Sequence, residues 1–244
     1  LPHLLKDSMH AFSWETVLLS ISGLAIFGGC LLVIFVKNGP YRQKGTSLDL
    51  TICFKVFKNR AFRKASFGYF GHMWELYTFW AFVPILLKTY SDMYVKVQFN
   101  IPLLSFFIIG IGSISCVLGS YLAAKFGTKR TAFSVLLLSC ICCLVSPLFF
   151  LVSNGTIFLL FLLFWGMVVI ADSPLFSTLV AQNAPETDKG TAITIVNCIG
   201  FSITILSIQL ISTLFHSTSS TFVFLILAFG PILGLISLRS KRVF

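Results

Sequence analysis

The chain is divided into apolar blocks of about twenty residues separated by short polar segments, and this pattern restricts the fold more than any other feature. A helix rises 1.5 Å per residue, so about twenty apolar residues cover the roughly 30 Å hydrocarbon core of a bilayer. Seven blocks can be drawn, over residues 14–36, 66–87, 102–123, 131–152, 156–180, 191–214 and 221–238. They are continuous and do not alternate apolar with polar residues, so they read as helices and not as barrel strands. Only 11% of the residues are charged, against about 25% in a soluble domain. The expected fold is an all-α membrane protein with seven transmembrane helices, and its first partner is the lipid bilayer.

The formal charge of +10 admits two readings, a nucleic-acid footprint or the bias of a membrane protein toward basic cytoplasmic loops. The positions of the cations decide between them. Lys37, Arg42, Lys44, Lys55, Lys58, Arg60, Arg63 and Lys64 follow the first block. Lys125, Lys129 and Arg130 follow the third, Lys189 the fifth, and Arg239, Lys241 and Arg242 the last. Fifteen of the eighteen Lys and Arg therefore fall on one side, leaving Lys6, Lys88 and Lys96 on the other. Charge split among short loops forms no continuous face for a nucleic acid, so no nucleic-acid partner is expected. The positive-inside rule makes the crowded side cytoplasmic, with the N-terminus outside and the C-terminus inside. The expected location is the cytoplasmic (inner) membrane, as a multi-pass protein.

No cleavable signal is visible, and LPHLLKDSMHAFSWE begins without an initiator methionine, so a piece of a longer chain is expected. The seven cysteines make neither a disulfide framework nor a zinc site. Six lie in apolar blocks, Cys53 lies in a basic loop, and no CxxC is matched by a second such pair or by histidines at ligand spacing. Neither metal nor cofactor is expected. Residues 37–65 read as a basic cytoplasmic linker, with a turn signal in NGPYRQKG. The stretch TICFKVFKNRAF that follows suits either a short amphipathic helix on anionic lipid or an ordinary charged linker.

Ionisable groups inside the spans are the sharpest functional signal, because an acid at the centre of a span costs roughly 2.5–3.5 kcal/mol on insertion scales. His72 and Glu75 lie in the second block and Asp172 in the fifth. Glu75 is nine residues beyond Ser66, a depth of roughly 14 Å. Asp172 is eight residues before Val180, a depth of roughly 12 Å from the same side. The two carboxylates are thus expected at one level. Gly68, His72, Glu75 and Phe79 follow an i, i+4, i+7, i+11 pattern and share a face, with Gly71 beside it for close helix approach. In ADSPLFSTLVAQNAP, Pro174 interrupts the helix ladder just after Asp172 and Ser173. Asn197 and Gln209 in the sixth block are expected to join helices, and the many phenylalanines to face lipid.

The phrases GYFGHMWELYTFWAFVP and ADSPLFSTLVAQNAP resemble the seventh and tenth helices of a prokaryotic branch of the major facilitator superfamily, near the nitrate/nitrite and cyanate porters. SYLAAKFGTKR resembles that family's G-x-L-A-D-R-x-G-R-K/R loop. Lys125, Gly127, Lys129 and Arg130 match, while Ser120 replaces the first glycine and Ala124 the acid. VNCIGFSITI keeps Asn197 and Gly200 of the branch's eleventh-helix signature without its repeated glycines. The resemblance implies that residues 1–36 hold the last helix of an N-terminal bundle whose other helices are missing. It further implies that residues 66–244 form a complete C-terminal six-helix bundle. It gives Glu75, His72, Asp172, Ser173 and Asn197 to a central substrate or proton site. Lys125, Gly127, Lys129 and Arg130 would form a gating loop.

The function expected on this basis is secondary transport of a small molecule or ion by alternating access, coupled to protons, in a twelve-helix transporter of which this chain is part. The alternative is a seven-span receptor or sensor of the same orientation. Against it, no DRY-like triplet follows the third span, and the last span has neither NPxxY nor a retinal-type lysine. No nucleophile–base arrangement suggests an enzyme.

Overall fold

The computed structural model describes residues 14–36, 52–218 and 220–239. Ten α-helices run in order among these residues: α1 (Trp14–Phe35), α2 (Ile52–Val56), α3 (Arg60–Met93), α4 (Ile101–Gly110) and α5 (Gly112–Phe126). They continue with α6 (Thr128–Phe150), α7 (Gly155–Ala171), α8 (Ser173–Asn183), α9 (Lys189–Thr218) and α10 (Phe229–Arg239). Two 3₁₀ segments, Glu186–Asp188 and Thr221–Ala228, lead into α9 and α10. No strand occurs among the described residues. Six helical stretches, some joining two of these helices, are long and apolar enough to cross a membrane. The protein is an all-α, multi-pass membrane protein.

The second expected span is not among those six. It lies within α3, which is the longest helix at 34 residues but carries His72 and Glu75 in its middle. This helix is the axis of the fold, packing against α8, α9 and α10. Its polar groups can be embedded because protein covers them: His72, Glu75 and Thr78 are all buried. The close approach needed is made with glycine. A Cβ on Gly71 would meet the Gly230 carbonyl of α10, and one on Gly200 of α9 would meet the Tyr69 ring.

The start of α3 lies ahead of residue 66. The helix begins at Arg60, inside the stretch 37–65, where the Asn59 side chain accepts hydrogen bonds from the backbone N–H groups of Ala61 and Phe62. Asn is among the best residues for this capping role. Ahead of it, TICFKVFKNRAF folds in part as α2. Ile52 and Val56 are buried in a core with Phe62, Tyr69 and Phe176, while Phe54 stays exposed. The amphipathic pattern therefore serves at least in part to dock this segment on the bundle, not to lay it wholly on lipid. The turn NGPYRQKG and the N-terminal segment lie outside the described residues.

The span expected over 102–123 is two helices, broken at Ile111 between Gly110 and Gly112. The span expected over 156–180 is also two, broken at Asp172. In α1, no described side chain is buried.

Candidate functional site

The site begins with a chemical defect in a helix. Pro174 has no N–H to donate to the carbonyl of Ile170, so the ladder fails there and Asp172 becomes the joint between α7 and α8. The freed carbonyls are covered by α5. Cys116 Sγ donates to Ile170 O at 3.6 Å, and Gly119 lies so close to Ala171 O that any Cβ would overlap it. Gly112, beside the other break, packs against Ile170 in the same way. The Asp172 joint is therefore packed against the Cys116–Gly119 stretch of α5, beyond the break at Ile111.

At that level the Asp172 side chain turns to α3. Its Oδ1 lies 2.9 Å from His72 Nδ1, with Asp172 0% and His72 1% exposed. The two groups form a buried ion-pair contact, and beyond it neither Asp172 oxygen nor His72 Nε2 has a hydrogen-bond partner. Unpaired buried polar atoms are costly and uncommon in native proteins. Phe176, one turn into α8, packs its ring 5.8 Å from the imidazole and closes the pair on that side.

Glu75, one turn further along α3, is 1% exposed and differently surrounded. One oxygen, Oε1, accepts from Ser139 Oγ at 2.5 Å and Cys143 Sγ at 3.1 Å, both on α6. It also accepts from Trp165 Nε1 on α7 at 2.8 Å. The Trp165 ring is held in turn against Phe79, 4.6 Å between centroids. The expected face of α3 is thus real: Gly68 meets Phe176, His72 meets Asp172, Glu75 meets α6 and α7, and Phe79 meets Trp165.

The structure brings together His72 and Asp172, and it gives Glu75 its own donors. Ser173 and Asn197 are only half-buried, and no hydrogen bond joins either to the acids or His72. Lys125, Gly127, Lys129 and Arg130 lie elsewhere, at the junction of α5 and α6. Gly127 makes that turn at φ +91°, a conformation that favours glycine. Lys125 Nζ sits 5.3 Å from the Phe126 ring centroid.

Three groups around Glu75 were not singled out from the sequence. Ser139 and Cys143 are four apart on α6, and Trp165 precedes Asp172 by seven, so each spacing marks a shared helix face. A second polar link, Thr78 Oγ1 to Ser207 Oγ at 2.6 Å, ties α3 to α9.

The Major Facilitator Superfamily matches this chain over residues 8–208. The protein belongs to that superfamily. Its members are transporters and not enzymes, and the superfamily match together with the membrane-length helices identifies a multi-pass membrane transporter. The receptor reading is therefore not favoured. No curated protein matches the chain.

Proposed function

We propose that this superfamily member carries a small solute by alternating access and couples that movement to protons. In this reading the helices from α3 onward form the C-terminal bundle of a twelve-helix transporter, and α1 ends a partner bundle. The protein would lie in the cytoplasmic membrane, with its basic loops inside. The observation that carries the coupling role is burial. His72, Glu75 and Asp172 are closed off by this bundle alone, so they hold protons more readily than a solute, which needs an accessible wall.

The chemistry follows from the joint. When His72 and Asp172 are in contact, the carboxyl is shut away from water. If α8 bends about Asp172, the contact opens and Asp172 Oδ1 can take a proton from water reaching one side. Closing returns the protonated acid to the dry interior, where a neutral carboxyl is far cheaper than a carboxylate. The imidazole Nδ1 is the group that replaces water as the partner of that oxygen. Ser139, Cys143 and Trp165 hold Glu75 in position on the adjoining turn. The branch near nitrate/nitrite and cyanate porters remains the resemblance that guides a choice of solutes.

The test is a solute panel added to lightly buffered cells that carry the intact transporter, with a pH electrode as the readout. A transported solute should draw protons into the cells, and Glu75→Gln and Asp172→Asn should abolish that movement. Unchanged proton uptake in both variants would remove the coupling role.

A further inference from the structure

A cavity of about 510 Å³ opens where α3 and α9 both come to an end, at Met93 and Thr218. Lys88 in its wall follows Glu75 by thirteen residues, a rise of about 20 Å along α3. The opening is therefore distinct from the buried acids, and the proton chemistry makes no use of it.

Its wall is partly polar and partly aromatic. From α3 come Lys88, Thr89 and Asp92, and from α9 comes His216. Residues four apart lie on one helix face, so Lys88 and Asp92 enter the same opening. The aromatic part is Phe82 and Phe215, whose rings lie 5.9 and 5.7 Å from that of the fully buried Phe224. Both rings are thus supported by the 3₁₀ segment Thr221–Ala228.

The polar groups are not consumed by the fold. Among the described residues, no hydrogen bond or ion pair engages the side chain of Lys88, Thr89, Asp92 or His216. Lys88 and Asp92 carry opposite charges one turn apart, yet they do not pair with each other. Their order contributes to this, since a helical pair interacts less well with the cation N-terminal to the acid.

An opening that presents both signs selects its ligand. A bare anion drawn to Lys88 meets Asp92, and a bare cation drawn to Asp92 meets Lys88. A zwitterion satisfies both. Its anionic oxygens accept charge-assisted hydrogen bonds from the Lys88 ammonium, and its own ammonium donates to the Asp92 carboxylate. The Thr89 hydroxyl and the His216 imidazole add further hydrogen-bonding groups. The phenylalanine wall suits hydrocarbon attached to the charged part.

We propose that this cavity binds a zwitterion that carries hydrocarbon, with its anionic oxygens on Lys88 and its ammonium on Asp92. Two sources supply that chemistry at the edge of a bilayer: an amino acid with an apolar side chain, and the ethanolamine phosphate headgroup of a phospholipid. The binding itself does not depend on proton coupling.

Two arms on the purified full chain test the site and separate the sources. One measures binding of radiolabelled L-leucine in detergent. The other measures, by native mass spectrometry, the phosphatidylethanolamine retained from doped micelles. The wild type should bind in at least one arm; leucine binding identifies the solute, and lipid retention the headgroup. In that arm Lys88→Gln and Asp92→Asn should each weaken binding about tenfold. Lys88→Arg keeps the charge and should retain binding. Lys96→Gln, a charge lost from the connection after α3, should change it by no more than about twofold. Circular dichroism should show all five chains folded alike. Absence of binding in both arms would overturn the site. Loss in the Lys88→Gln variant alone, or in the Asp92→Asn variant alone, would overturn the zwitterion as ligand. An equal loss in Lys96→Gln would overturn the site and leave only a diffuse surface charge.

Discussion

Glu75 and Asp172 are both acids buried to the last per cent in one bundle, yet their surroundings differ in kind. Glu75 has three donors converging on one oxygen, drawn from α6 and α7. Asp172 has one close neighbour, His72, and no hydrogen bond to either oxygen. Equal burial thus does not imply equal work. The acid with donors is fastened to three helices that are continuous at that point. The acid without them occupies a break in the backbone, where a change of partner requires the least rearrangement. The first reads as an anchor and the second as the moving part.

Stability separates the two most strongly. Glu75→Ala leaves three buried donors unpaired and should lower the unfolding free energy by about 3 kcal/mol. Asp172→Ala removes only the one buried contact with His72 and should cost less, about 1–2 kcal/mol. Reversible unfolding in mixed micelles measures both. Equal losses would break the distinction between anchor and moving part.

A smaller effect should fall on one side alone. A Cβ at Gly68 would strike the Phe176 ring that covers His72. Gly68→Ala should therefore cost about 1.5 kcal/mol through overpacking. Gly190, whose surroundings are open, should tolerate alanine without loss. Solution or solid-state NMR of the imidazole should register the Gly68 change, while the Trp165 indole N–H signal should stay in place. Movement of the indole signal would mean that the two acids share one packing unit.

Next in size is Trp165→Phe, which removes one donor from Glu75 but keeps a ring against Phe79. It should cost about 1 kcal/mol. Cys143→Ser retains a donor at the same place and should have the least effect of the series.

Much of this architecture could be read from the residues. Block length against bilayer thickness gave the helices. Spacing along α3 correctly grouped Gly68, His72, Glu75 and Phe79. Partner choice was less legible, because it depends on how helices distant in sequence cross. Depth alone made Asp172 the natural companion of Glu75, whereas the 2.9 Å contact is with His72. Cys143 lies in an apolar block and is buried, but its thiol also donates to Glu75. The break at Ile111 was hidden inside an unbroken apolar run, with only Gly110 and Gly112 to mark it. Thr221–Ala228 forms a 3₁₀ segment that nothing in its residues explains.

The central claim, that Asp172 exchanges a proton while Glu75 anchors, can be tested on the purified chain without a known solute. Infrared difference spectra between acidic and alkaline buffer report the carbonyl stretch of a protonated carboxyl. The account predicts a pH-dependent band that disappears in Asp172→Asn and persists in a folded Trp165→Phe control. Spectra that show no such band, or a band unchanged by Asp172→Asn, would contradict it.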